Sequence, residues 1–304
     1  DSCRLAPTIG MIDTGVNPEH PSLAAGRVEI IEVLAEGRRA ASRVHGTAVA
    51  LLIAGDPDSR TPGMLPNARL IAAEAFHRTG SGEETADAFD VVRGIESLAD
   101  RNVDIVNMSF SGPANLLLER AIAALAERKV PVVAAAGNAG PRSEPLFPAA
   151  YPQAIAVTAV DASNRVYRQA NAGDHIAFAA PGVRLWTAAS VSGGRFRSGT
   201  SYAAPFVTAA LAIQRTIHPE RPVAELVEGL ASEATDLGNP GRDATFGHGL
   251  VKMPDCATAG SGGAIEALPV AVAPGEVPAV AGQPADGPSA QSPTASSPSA
   301  PVSP

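Results

Sequence analysis

The sequence has few aromatic residues, no dense run of basic residues and no long hydrophobic run. Aromatic residues make up 4% of its 304 residues, and the formal net charge is −8. Nucleic-acid binding needs a basic surface and rings on which bases can stack, so we expect no nucleic-acid partner. No apolar run reaches the roughly 18 residues that cross a bilayer, so we expect no transmembrane segment. The first residues also lack a signal-peptide pattern, so we expect any targeting signal to be missing from this sequence.

Cysteine is scarce as well. Cys3 and Cys256 lie near the two ends of the compact part of the chain, and their separation fits neither a CxxC nor a zinc pattern. They are either two unrelated buried thiols or one disulfide that ties the ends together, and we favour the disulfide. A disulfide implies an oxidising compartment, so we expect a secreted protein, extracellular or periplasmic.

The composition changes after Cys256. Residues 258–304 are mostly Ala, Pro, Ser, Gly and Val, without an aromatic residue, Lys or Arg. Such a segment cannot bury enough apolar surface to offset the entropy lost on ordering. We therefore expect one domain over residues 1–257 and a disordered linker or tail over residues 258–304, through which the protein could be tethered to a surface.

Apolar strands and helices alternate within the first part of the chain. The patterns predict buried strands at residues 8–12, 69–73, 104–108, 130–135 and 154–158, and helices at residues 46–55, 84–100 and 116–128. This alternation predicts an α/β fold with a mainly parallel sheet and helices on both of its faces. In such a sheet, functional residues gather at the carboxyl ends of the strands.

Four polar residues stand at strand ends or helix starts of this pattern. Asp13 follows the first strand, His45 begins a helix, Asn138 lies in a turn between glycines, and Ser201 opens an apolar helix. Each alone has an ordinary explanation as a turn former or helix cap. Together they match the parts needed for nucleophilic acyl transfer: an orienting acid, a general base, an oxyanion donor and a nucleophile.

The sequence resembles the subtilisin family of serine proteases (subtilases, peptidase S8) over about residues 5–255. The resemblance rests on five blocks: Asp13-Thr14-Gly15, His45-Gly46-Thr47, Asn107–Gly112, Gly137-Asn138 and Gly199–Pro205. It implies a three-layer subtilisin-like fold and a serine endopeptidase with catalytic residues Asp13, His45, Ser201 and Asn138. It also implies a monomer without a cofactor, made with an N-terminal propeptide that this sequence lacks.

The resemblance also implies a substrate-binding cleft for an extended polypeptide. The residues expected to line the pocket before the scissile bond are Ser109, Phe110, Ser111, Gly112, Ala135, Ala136, Gly137 and Leu146. Ser111 stands where the family often has Gly, and Leu146 falls near the pocket floor. We therefore expect a shallow pocket that prefers small or medium apolar side chains.

Three further features can be compared with the family pattern: two depart from it and one is implied by it. Residues 56–63 lack the Asn pair of the calcium loop, and Ser22 stands at an early acidic position, so we expect no strong calcium site. Tyr202 follows the serine where Met is common, so we expect resistance to mild peroxide. The family also implies a cis peptide bond at Phe147-Pro148.

Two other functions fit parts of the sequence. Ile12–Gly15 also resembles the motif of aspartic proteases, but that chemistry needs two carboxylates and the motif occurs once. Alternatively, the chain is a catalytically silent binding or scaffold module with the tail as a spacer. A serine-directed inhibitor compared with a carboxylate-directed one separates these hypotheses.

Overall fold

The computed structural model describes residues 5–23, 26–188 and 193–256. Cys3 and the tail at residues 258–304 lie outside this part, so the predictions about them stay predictions. The described strands are β1 (Thr8–Asp13), β2 (Val28–Glu32), β3 (Arg69–Glu74), β4 (His77–Arg78), β5 (Glu84–Thr85), β6 (Ile105–Met108), β7 (Val132–Ala135), β8 (Ala154–Val160), β9 (Ile176–Pro181), β10 (Leu185–Ala188) and β11 (Gly194–Arg197). The helices are α1 (Val44–Ala54), α2 (Ala88–Ala99), α3 (Leu116–Glu127), α4 (Thr200–Ile217) and α5 (Val223–Glu233).

Seven strands form one parallel sheet in the order β2-β3-β1-β6-β7-β8-β9. Two short antiparallel hairpins, β4–β5 and β10–β11, lie outside it. The predicted α/β fold with a mainly parallel sheet is therefore confirmed. The chain runs outward from β1 to one edge of the sheet and then returns to β6, so the carboxyl ends of β1 and β6 flank a topological switch point.

Helices cover both faces of the sheet because its strands are apolar on both sides. In β1, Ile9 and Met11 belong to a buried cluster that also contains Val49 of α1 and Val207 of α4. Ile12, which points the other way, belongs to a second cluster with residues of α2 and α3. The period-2 alternation of strand side chains thus gives one sheet two separate cores.

One helix starts later than its sequence pattern predicts, and several elements carry no pattern that predicted them. The helix expected at residues 84–100 begins only at Ala88, because Glu84 and Thr85 pair with β4 in a hairpin. Strand β2 is an edge strand of half-buried residues, without the apolar run that marks a central strand. Strands β9, β10 and β11 and helix α5 were not predicted either.

Helix α4, with 18 residues, is the longest helix described and is buried along most of its length. It packs against the central strands of the sheet and against α1 and α5. Within the described residues, neither α4 nor any other helix has both the length and the apolar character of a membrane span.

Candidate active site

Asp13 ends strand β1 at the switch point of the sheet. Its side chain is buried, with 2% of its surface exposed. One carboxylate oxygen, Oδ1, accepts hydrogen bonds from the backbone N–H of Thr14 at 2.7 Å and from the Thr14 hydroxyl at 3.2 Å. The turn after β1 therefore fixes the orientation of the carboxylate.

His45 reaches the same carboxylate from the first turn of α1. Its Nδ1 lies 2.6 Å from Asp13 Oδ1. An ionised carboxylate only accepts hydrogen bonds, so this contact assigns the proton to Nδ1 and leaves Nε2 as the basic nitrogen. The ring is 16% exposed, which keeps it within reach of a substrate.

The first turn of α1 packs directly on the turn after β1. The backbone N–H of Gly46 donates to Thr14 Oγ1 at 2.9 Å, and Thr47 Oγ1 accepts from the N–H of Asn17 at 2.9 Å. A Cβ at Gly46 would lie 2.7 Å from the carbonyl oxygen of Gly15. Glycine is therefore required for this close approach, which brings the histidine to the aspartate.

Glu74 is a buried acid in the same region that the sequence analysis did not single out. It ends β3 in register with Asp13, and its Oε1 accepts the backbone N–H of Val16 at 2.9 Å. Burial raises the pKa of Glu74, while this N–H and the charge of Arg43 act in the opposite direction. Glu74 therefore contacts the turn after Asp13 through Val16. It also lies close to the start of the histidine helix, because Arg43 immediately precedes α1.

Ser201 is the second residue of α4. Backbone N–H groups in the first turn of a helix have no partner within the helix, so the N–H of Ser201 is available to a ligand. Its side chain makes no hydrogen bond within 3.5 Å to His45 among the described contacts. Such bonds are often long in ligand-free sites and shorten when substrate binds.

A buried network fixes the backbone of this serine. Pro205 has no N–H, so it cannot donate to the carbonyl of Ser201 one helical turn earlier. Ser109 fills this gap, because its hydroxyl donates to that carbonyl at 2.8 Å. The Ser109 hydroxyl in turn accepts from Asn107 Nδ2 at 2.9 Å, and Asn107 Oδ1 accepts from Thr208 at 3.0 Å. Asn107 and Pro205, which belong to the sequence blocks, therefore help to fix the backbone position of Ser201.

Asn138 lies beside the start of α4, on the turn after β7. Its Oδ1 accepts from the backbone N–H of Thr200 at 3.0 Å and from the Thr200 hydroxyl at 3.2 Å. The Thr200 hydroxyl also accepts from the N–H of Gly137 at 3.1 Å. Since the carbonyl end of the Asn138 amide is held in this way, its Nδ2 is the end left for a ligand.

The expected pocket walls follow two adjacent parallel strands, β6 and β7. Gly112 pairs with Phe147 through two backbone hydrogen bonds of 2.7 and 2.9 Å. A Cβ at Gly137, where φ is +105°, would lie 2.7 Å from Leu146 Cδ1. The structure therefore brings Leu146 together with both walls. Ser111 is half-buried beside them.

The walls differ from the sequence interpretation in one respect. Ser109 was expected to line the pocket, but it is fully buried and its hydroxyl is used in the network under α4. The side chain of Phe110 is also buried, and it packs edge-on against Phe76 in the core. These residues therefore form the support of the wall, and what they can offer a substrate is backbone.

A sequence profile of the subtilase family matches residues 6–249, a range that contains all the site residues described above. The chain belongs to the subtilase family. It is 32% identical over 253 residues to the minor extracellular protease Epr of Bacillus subtilis (strain 168) and 33% identical over 253 residues to subtilisin E of the same strain. These alignments cover 82% and 81% of this chain but 38% and 64% of the two relatives, so the chain spans less than two thirds of either.

Solved protease structures share the fold of this chain. The self-cleaved protease domain of PatA superimposes with a TM-score of 0.69 at 26% identity, over 84% of this chain and 97% of that domain. Fervidolysin from Fervidobacterium pennivorans, described as a keratinolytic enzyme related to subtilisin, gives a TM-score of 0.72 at 26% identity, over 85% of this chain and 43% of fervidolysin. The predicted subtilisin-like fold is therefore confirmed.

Two further details can be compared with what the family implied. The Phe147-Pro148 bond is cis, as expected. The loop after α1 is held by hydrogen bonds within the protein: Asp56 N–H donates to the Ser22 carbonyl at 2.7 Å, and Asp56 Oδ1 accepts from Asp58 N–H at 2.8 Å. The absence of a strong calcium site in this subtilase stays a prediction.

One cluster of possible metal ligands was invisible in the sequence. Ligand atoms of His77, Asp87 and Asp90 lie within 4.8 Å of one another, although His77 belongs to β4, Asp87 precedes α2 and Asp90 lies in α2. Arg38 stands among them, in an ion pair with Asp87 and with its Nη1 2.7 Å from His77 Nε2. The guanidinium of Arg38 balances the negative charge of these carboxylates. We therefore interpret the cluster as an ion-pair network around Arg38.

Proposed function

We propose that this subtilase is a serine endopeptidase that hydrolyses polypeptides through an acyl-enzyme. The observation that carries the proposal is the 2.6 Å contact between His45 Nδ1 and Asp13 Oδ1, beside the helix start that holds Ser201. In the proposed roles, Ser201 is the nucleophile, His45 the general base and Asp13 the acid that orients the imidazole.

The proton follows the geometry of His45. When Ser201 Oγ attacks the scissile carbonyl, Nε2 takes the hydroxyl proton and the imidazole becomes a cation beside the Asp13 carboxylate. The C–N bond then breaks, and Nε2 gives this proton to the leaving amine. Water later attacks the acyl-serine in the same manner, and the released serine recovers its proton from Nε2.

We assign two donors to the oxyanion that forms during attack. The N–H of Ser201 is free of the helix, and the Nδ2 of Asn138 is the unheld end of an amide whose oxygen is bonded to Thr200. Preorganised donors of this kind stabilise the transition state more than the bound substrate. We therefore assign Asn138 to transition-state stabilisation.

The residue before the cut is proposed to lie between the walls at residues 109–112 and 135–137. Leu146 contacts the region of Gly137, which makes the pocket shallow and favours small or medium apolar side chains. Leu146→Ala should raise kcat/KM for a substrate with Phe before the cut about 10-fold relative to Ala, measured on paired peptides. An unchanged ratio contradicts the pocket assignment.

The setting of the enzyme is also a proposal. We infer a secreted monomer made with a propeptide, in line with a relative whose name describes an extracellular protease. A disulfide between Cys3 and Cys256 belongs to the same inference; Cys256 packs against the core of α1 and α4, and Cys3 lies outside the described residues. Thiol titration of the denatured, unreduced chain should find no free thiol.

Variants of the three proposed catalytic residues test the function. Cleavage of a fluorogenic peptide should fall by about 10⁴–10⁶ in kcat for Ser201→Ala, and by a comparable factor for His45→Ala. Ser163→Ala, on an exposed loop, serves as the matched control and should leave cleavage unchanged. A folded, unaltered chain that cleaves no peptide would instead support the scaffold hypothesis.

A further inference from the structure

The hairpin β10–β11 lies beside α1, the helix that carries His45. Strand β10 packs against α1, where the Thr187 hydroxyl donates to the carbonyl of Ala48 at 2.9 Å. Strand β11 leads directly into the residues before Ser201.

This hairpin exposes aromatic and basic side chains together. Trp186 and Phe196 are 45% and 59% exposed, and their rings meet edge-to-face at 5.3 Å. The guanidinium of Arg184 lies 5.5 Å from the centre of the Phe196 ring. In a sequence with 4% aromatic residues, two exposed rings on one short hairpin form a distinct surface.

The arginines on or next to this hairpin are Arg184, Arg195 and Arg197. None of them has an acidic partner among the described residues. Other arginines of this acidic protein form ion pairs, such as Arg69 with Glu29 and Arg165 with Asp161. On the hairpin, Arg197 has its Nε and Nη2 buried without a hydrogen-bond partner. A guanidinium without a carboxylate partner is suited to an anionic ligand, because charge-assisted hydrogen bonds to arginine are strong.

Arg197 is linked to the reacting residues through Tyr202. This tyrosine follows Ser201, is 6% exposed, and has its ring centre 5.5 Å from that of His45. Burial raises the pKa of Tyr202, and the negative charge of Asp13 acts in the same direction. The positive charges of Arg197 and Arg195 and a hydrogen bond with the Arg197 side chain oppose this effect. Because Arg197 ends β11 only four residues before Ser201, its backbone lies next to the start of α4, where Tyr202 contacts His45.

In the proposed reaction, His45 gives its proton to the leaving amine, so the leaving half of the substrate passes on this side. We propose that Arg197, assisted by Arg195, binds a carboxylate on one of the first two residues after the scissile bond. The enzyme is then selective for acidic residues on the leaving side of the cut. This inference rests on the proposed endopeptidase function.

Matched peptides test the selectivity. They share one acyl half and carry Glu, Gln or Lys at the first or second position after the cut. At low salt, kcat/KM should be about 10-fold higher for Glu than for Gln at one of these positions, and lowest for Lys. Raising the ionic strength should reduce the ratio, because salt screens exposed charges.

Variants locate the effect. Arg197→Gln should bring the Glu-to-Gln ratio close to one, Arg197→Lys should restore part of it, and Arg195→Gln should lower it less. Arg120→Gln, an exposed arginine on α3, is the matched control and should leave the ratio unchanged. If Arg197→Gln does not fold, the ratio of the unaltered chain and its dependence on salt decide the question.

The outcomes separate the two proposals. Cleavage of the Gln peptide with a ratio near one, or a ratio that survives Arg197→Gln, overturns the acidic selectivity and leaves the endopeptidase function intact. Failure to cleave any of the peptides overturns both.

Discussion

The two halves of the site are held in place by different forces. Around Ser201, the contacts are hydrogen bonds between uncharged groups: Ser109 to the serine carbonyl, and Asn138 to the backbone of Thr200. Around His45, they involve charge: the Asp13 carboxylate contacts the imidazole, and the buried Glu74 carboxylate holds the turn that follows Asp13.

This difference has a functional consequence. Hydrogen bonds between neutral groups do not change with pH in the working range, so the nucleophile and oxyanion donors stay in place. The position of the acid–base pair depends on two buried carboxylates, and burial raises the pKa of one of them, Glu74. A change of pH should therefore act on the half with His45 before it acts on the half with Ser201.

Asn138→Leu tests the neutral half with the largest expected effect. It removes the side-chain donor while the N–H of Ser201 remains. We expect kcat to fall by about 10²–10³, the loss known for removing such a donor from a related protease, with little change in KM. Asn239→Leu, at an exposed remote site, is the control. A rise in KM at constant kcat contradicts the assigned role.

Gly46→Ala tests the contact between α1 and the turn after Asp13. The added Cβ would meet the carbonyl oxygens of Thr14 and Gly15 at 2.7 Å, so α1 must move and carry His45 with it. We expect destabilisation of about 1–3 kcal/mol and a large loss of activity. Gly229→Ala in α5 meets open space and should stabilise by about 0.5–1 kcal/mol. Urea unfolding compares the two, and equal effects contradict the close approach.

Ser109→Ala tests the network under the nucleophile. It leaves the Ser201 carbonyl buried without its donor, at an expected cost of about 1–3 kcal/mol. The loss should be the same at about pH 5 and about pH 8, because no group involved titrates there. Ser111→Ala, two residues away and outside this network, should have a smaller effect on stability. A strongly pH-dependent loss for Ser109→Ala would remove the contrast between the halves.

Glu74→Gln tests the half of the site that depends on charge, and its expected effect is the smallest of the four substitutions. Because burial raises the pKa of Glu74, the folded chain binds its proton more tightly than the unfolded chain. The stability tied to this proton is present below the usual Glu range and is lost as pH rises through the raised pKa. Glutamine keeps an acceptor for Val16 and carries no charge, so Tm should rise by on the order of a degree or two at about pH 8.

Thermal unfolding at several pH values checks this prediction. The gain from Glu74→Gln should shrink to zero as pH falls to about 4, where Glu74 of the unaltered chain is itself neutral. Glu84→Gln on the β4–β5 hairpin provides a less buried control. A gain that is constant across pH contradicts the assignment of a buried, titrating acid.

The sequence predicted the central architecture because central parallel strands are continuous apolar runs. Strands β1, β3, β6, β7 and β8 appeared within two residues of their bounds. Strand β2 escaped because an edge strand is only half-buried, and the start of α2 was misplaced because pairing of Glu84 with Arg78 overrode its helical pattern. Local patterns thus fail where tertiary pairing decides the structure.

The site was predicted in part for a similar reason. The sequence motifs identified Asp13 and His45, whose contact depends on short segments with marked residue types. Glu74 had no such mark, since a single acid after a strand is common, and only the register of β3 beside β1 places it there. The role of Ser109 also depends on a contact across 92 residues, which no local pattern reveals.

Labelling with a fluorophosphonate probe, which reacts with an activated serine, tests the central claim most directly. We expect one label per folded chain, located at Ser201 by peptide mapping and absent from Ser201→Ala. A folded chain that takes no label, or a label located at another residue, would contradict it.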